Sequence, residues 1–126
     1  MLSEPGSEVA DEVWDAADSV LTSQIAYPEL RAALAAAQRS RRISSHQLRR
    51  CVADAARLFE EMRIVGIDAR LAAEAGELAE RVALRGYDAV HLAAALAIDG
   101  DNVVFATWDR DLAAGVAASG LPVVGV

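Results

Sequence analysis

Arg85-Gly86-Tyr87-Asp88-Ala89-Val90-His91-Leu92-Ala93-Ala94-Ala95-Leu96-Ala97-Ile98 is followed, after a polar break, by Asn102-Val103-Val104-Phe105-Ala106-Thr107-Trp108-Asp109. Asp88 to Ile98 is apolar almost all round, which predicts a helix buried on all sides. Asn102 to Thr107 is a brief apolar run of the length of a buried strand. Asp109 is placed to cap a further helix to about Ala118, Gly120 to stop it, and Pro122 to Val126 to form a last strand. Helix and strand alternate, so the fold class predicted is α/β, a parallel sheet covered on both faces by helices.

The same alternation extends upstream. Ser7 to Ala17 reads as a short helix with Val9, Val13 and Trp14 on one face. Val20-Leu21-Thr22 is strand-like, and a helix follows from about Ser23 to Gln38, its regular part starting near Pro28. Ser44 or Ser45 opens another helix to about Arg63, with Leu48, Val52, Ala55, Ala56 and Phe59 as its apolar stripe. Ile64 to Ile67 reads as a strand, Asp68 as the N-cap of a helix to about Ala83, and Arg85-Gly86 as a break.

Composition bounds the function. The chain has 126 residues, one domain's worth, spanning 1–126. Hydrophobic residues are 54% and charged residues 25%, a globular balance. Roughly 65–70% of the unfolded surface can be buried at this size, so a core needs no disulfide or structural metal. Cys51 is the single cysteine, which excludes a disulfide framework or a multi-cysteine zinc site and reads as a small core residue. No apolar run reaches transmembrane length, the first residues are polar, and a cytoplasmic protein with no membrane partner is expected. All 12 basic residues are arginine, against 19 acids, for a net charge of -7. Such a chain repels nucleic acid at long range, so RNA contact would need a local basic patch or screening metal ions.

Three carboxylates stand at element boundaries. Glu29 opens the second helix, Asp88 the most apolar one, and Asp109 follows the strand ending at Thr107. Ligands in parallel α/β sheets sit beyond the carboxyl ends of the strands. Clustered carboxylates repel, and a hard divalent cation, Mg²⁺ or Mn²⁺, relieves the repulsion. Each acid also has a plainer reading, as a helix cap or a solvated first-turn residue.

These segments carry a resemblance. Leu2 to Glu8, Thr22-Ser23 with Pro28 to Leu34, Arg85 to Ala93, and Val104 to Leu112 resemble the PIN-domain ribonucleases, and among them the VapC-type toxins of bacterial toxin–antitoxin pairs. The resemblance implies a PIN-like three-layer domain and Mg²⁺-dependent RNA cleavage leaving 5′-phosphate and 3′-hydroxyl ends. It also implies a cognate antitoxin that blocks the toxin, with a homodimer as the expected assembly. It assigns Glu29, Asp88 and Asp109 to the family's acidic quartet. The family opens with a central strand bearing the first acid in an Asp-Thr-Ser-Ala-like pattern. The chain is expected to lack that strand and acid, with a reading frame continuing upstream of Met1. The strand Val20-Thr22 would then either pair directly with Asn102-Thr107 or leave inner edges open. The alternative function is an impaired module that only binds an antitoxin or sister subunit.

Accessory roles are open to Asp111, which reads foremost as a solvated first-turn acid, and to Thr107 and Ser23, which could instead cap the following turns. His91 lies one helical turn from Asp88 and reads foremost as a satisfied core residue. Arg39, Arg41 and Arg42, with Arg49 and Arg50, form the local basic cluster that could contact RNA. They sit in a helical hairpin whose Leu34 and Leu48 could be core or antitoxin interface.

Overall fold

A computed structural model describes residues 7–16, 19–98 and 103–125. Among the described residues six helices and four short strands follow one another: α1 (Ser7–Ala16), β1 (Leu21–Ser23), α2 (Ala26–Arg39), α3 (Ser45–Glu61), β2 (Arg63–Val65), α4 (Ala69–Val82), α5 (Gly86–Leu96), β3 (Phe105–Ala106), α6 (Arg110–Ala118) and β4 (Val123–Val124). The predicted α/β alternation with parallel strands is what the chain adopts. Ala17, Asn102, Val126 and the Val9 and Val13 side chains, all used in the sequence reading, lie outside what the structure describes.

Local chemistry explains most boundaries. Ser44 caps α3 by accepting from the Gln47 N–H, and the Gln47 side chain accepts from the Ser44 N–H in return. Asp68 caps α4 by accepting from Leu71 N–H at 2.8 Å. Asp109 does the same for α6 at Leu112 N–H, 3.0 Å. The break between α4 and α5 differs from expectation. Ala83 makes it, in the left-handed region at φ 55°, and Gly86 is the first residue of α5. An alanine there is strained by about 1–2 kcal/mol, and the burial of neighbouring Leu84 offsets that cost.

The core is built around α5. Ala89, Leu92 and Ala93 are fully buried, and Leu71, Ala75 and Leu78 of α4 and Leu112 and Val116 of α6 pack with them. Burial on all sides does not hold for this helix: Tyr87 and Leu96 are exposed at its two ends. In α3 the buried positions are Cys51 and Ala55, while Ala56 faces solvent. The α2–α3 hairpin is closed by Tyr27 and Phe59, edge to face at 5.3 Å. Leu34 lies inside it at 2% exposure, so it belongs to the core rather than to an interface.

Among the described residues the strands form two parallel pairs, not one sheet. β1 pairs with β2 (Leu21 beside Arg63), and β3 with β4 (Phe105 beside Val123). Direct pairing of β1 with β3 does not occur among the described residues. Val20 C=O accepts from Arg63 N–H, and Gln24 N–H donates to Val65 C=O. Residues of a strand alternate sides, so the Leu21 and Ser23 backbones face the other edge, which no described strand covers. The backbone of Ala106 is in the same position on β3, because Phe105 and Thr107 bond to β4. Val104, expected in a buried strand, is 51% exposed beside that edge.

The β3–β4 pair ends on a close approach. Gly125 has φ +107°, and a Cβ there would run into the Thr107 carbonyl oxygen and stand 3.2 Å from the Trp108 ring. Gly125→Ala is therefore expected to destabilise the fold by about 1–3 kcal/mol, read as a lower urea midpoint. An unchanged midpoint would contradict this packing.

Candidate active site

α5 begins where Arg85, in extended conformation, turns into the helix. Asp88 falls in the first turn, where the positive end of the helix dipole favours a carboxylate. Its Oδ2 accepts from Arg85 Nε at 3.1 Å, and only 14% of its side chain is exposed. The Nη2 of the same guanidinium donates to Asp109 Oδ2, also at 3.1 Å. One cation thus joins the start of α5 to the turn after β3. These carboxylates hold the Arg85 pKa above its ordinary value, first through the hydrogen bond to Asp88, then through the charges of Asp88 and Asp109. A slight loss of hydration opposes it, and the charge of Asp111 adds to it.

Asp109 combines both roles weighed from sequence. Oδ1 caps α6 while Oδ2 faces Arg85. Thr107 Oγ1 accepts from the Asp109 N–H at 3.1 Å and so orients this turn. Asp111 is exposed in the first turn of α6 and acts on Arg85 through charge.

Glu29 is engaged elsewhere. Its Oε1 lies 2.5 Å from His91 Nε2, and His91 Nδ1 lies 3.0 Å from Ser23 Oγ. The chain Ser23–His91–Glu29 ties the end of β1 and the first turn of α2 to α5, one helical turn beyond Asp88. It has the make-up of a serine–histidine–acid triad. Ser23 is only 1% exposed, however, so its hydroxyl cannot reach a substrate. The arrangement is a strut, and His91 is the satisfied histidine expected from its apolar helix.

Among the described residues, no three His, Cys, Asp or Glu side chains converge on a point where one ion could sit. Asp88 and Asp109 are brought together and Glu29 is held by His91. The pair still fits a magnesium-like ion in donor chemistry. Mg²⁺ commonly takes one or two carboxylates and completes its shell with water and phosphate.

The basic cluster lies apart. Arg39 is about 15 Å along α2 from Glu29, at 1.5 Å per residue. Arg39, Arg41 and Arg42 are all exposed, and Arg41 turns the chain at φ 62°. The sequence reading missed Arg85 as a site residue and the pairing of His91 with Glu29. Arg85 had a readable signal, an arginine three residues before an acid at a helix start. The His91 contacts had none, because their partners are 62 and 68 positions away.

The PIN domain family matches residues 1–116 of the chain. Two relatives are Ribonuclease VapC45 of Mycobacterium tuberculosis (strain CDC 1551 / Oshkosh) and Ribonuclease VapC49 of Mycobacterium tuberculosis (strain ATCC 25618 / H37Rv). Each is 45% identical over 124 residues, covering 95% of this chain and 83% of the relative.

Proposed function

The chain belongs to the PIN-domain family, among its VapC-type members, and from this we propose that it is a metal-dependent endoribonuclease, the toxin of a toxin–antitoxin pair. The observation that carries the proposal is the pair Asp88 and Asp109, both bound to the one Arg85 guanidinium beyond the end of β3. Magnesium, when bound, supplies a polarised water and neutralises charge on the phosphodiester. Asp88 and Asp109 would hold the ion. Glu29 would support it from the His91 strut, which fixes the carboxylate against α5.

Tyr87 and Trp108 directly precede the two acids and are 63% and 43% exposed. Exposed aromatic faces beside a phosphate-directed site suit a single-stranded substrate, whose bases stack on them. Arg39, Arg41 and Arg42 would contact RNA farther along the strand, in line with a chain whose net charge is otherwise repulsive. A protein antitoxin and a second copy of the chain are the partners in this reading, and the cytoplasm its location. No helix among the described residues is long and apolar enough to cross a membrane.

A second reading, a module that binds an antitoxin without cutting RNA, is favoured by one observation: among the described residues no three His, Cys, Asp or Glu side chains converge where one ion could sit. The assay that separates the two readings incubates the chain with single-stranded RNA in Mg²⁺ and, in parallel, with excess EDTA. Cleavage in Mg²⁺ that EDTA abolishes is expected, with 5′-phosphate and 3′-hydroxyl ends. Intact RNA in both, with antitoxin still bound, would select the module. Cleavage that resists EDTA would remove metal dependence.

A further inference from the structure

We propose that Arg85 is the resident counter-cation of the Asp88–Asp109 pair, filling with its guanidinium the place of a divalent ion and yielding it when that ion binds. The proposal rests on the reading of these two acids as a metal site. Two nitrogens of one side chain donate to Oδ2 of each acid at 3.1 Å, one acid three residues away and the other 24. An ion shared by the two acids at this point would draw on the Oδ2 atoms that Arg85 engages. Guanidinium and metal therefore compete for the same lone pairs.

Each half of the arrangement has a physical reason. Two carboxylates brought together without a cation repel. Arg85 offsets that repulsion and holds the metal-free pair in place through its two hydrogen bonds. Its own side chain is 77% exposed, so little packing holds it there. Ion pairs this exposed are weak, each shifting an equilibrium by about 1.4- to 5-fold. That grip orients the acids yet releases them to a doubly charged ion. No other described basic side chain bridges either acid. The apparent metal affinity is then reduced by the fraction of molecules in which Arg85 is docked.

The test uses the whole chain without RNA, with free Mn²⁺ followed by electron paramagnetic resonance during titration. Arg85→Gln and Arg85→Ala are expected to bind Mn²⁺ about 2- to 30-fold more tightly than the parent, from the loss of two exposed pairs. Arg85→Lys should fall between, because an ammonium lacks the planar fork that serves both acids. Thermal melting gives an independent readout. Metal-free Arg85→Gln should melt lower than the parent, and Mn²⁺ should raise its melting temperature by more. Equal or weaker Mn²⁺ binding by Arg85→Gln, with the parent binding normally, would overturn the role of Arg85 alone. Absence of binding in every chain, or binding that persists in Asp88→Asn, would overturn the metal-site reading and the proposal with it.

Discussion

Asp88→Asn is expected to lower RNA cleavage by more than about a hundredfold while leaving the fold in place. Substitutions in the shell behind a metal ligand already cost about 10- to 100-fold, so loss of a ligand should exceed that range. Asparagine matches aspartate in shape, keeps an acceptor for Arg85 and removes only the charge. Asp88 lies in the first turn of α5 and caps nothing, so stability should change by less than about 1 kcal/mol. Initial rates at saturating Mg²⁺, set beside a urea melt of the same sample, check both halves. A rate within threefold of the parent would remove Asp88 from the machinery. Asp109 offers a sharper contrast, because its two oxygens have separate duties. Asp109→Asn should lose activity and keep the cap of α6, since asparagine caps as well as aspartate. Asp109→Ala should lose both, with about 1 kcal/mol of stability gone.

Leu92→Ala carries the largest expected effect on stability. Leu92 is fully buried, at the centre of the face that α5 turns toward α4 and α6. Truncating such a leucine costs about 2–5 kcal/mol, from lost transfer energy and the cavity left behind. Typical domains hold only about 5–15 kcal/mol in total. The loss should appear as a clear drop in urea midpoint, and Leu92→Met should restore most of it. A change below about 1 kcal/mol would mean that α5 is not the core helix. Because α5 also carries Asp88 and His91, the same substitution should loosen the site. RNA cleavage would then fall faster with temperature than in the parent.

Read alone, the residues determined the order of elements and their caps. Ser44, Asp68 and Asp109 cap α3, α4 and α6 as expected, because a cap is an interaction over three positions and needs no distant partner. Cys51 is buried, as a small apolar residue on the helix stripe implies, and Asp88 and Asp109 each accept from Arg85. Tertiary structure decided what local rules cannot reach. Short strands of two or three residues carry no register information of their own, so only packing shows that β1 joins β2 and β3 joins β4. Ala83 takes a left-handed turn that its residue type disfavours, and burial of Leu84 beside it offsets the strain. Glu29 could have faced Asp88; instead His91, 62 positions away, claims it. Arg85 reads as a chain break until the fold brings Asp109 to it, and then it is the cation that joins Asp88 to Asp109. The dividing line is sequence distance: a contact within one helical turn is written in residue spacing, whereas a contact across dozens of residues exists only once the core has ordered the elements that carry it.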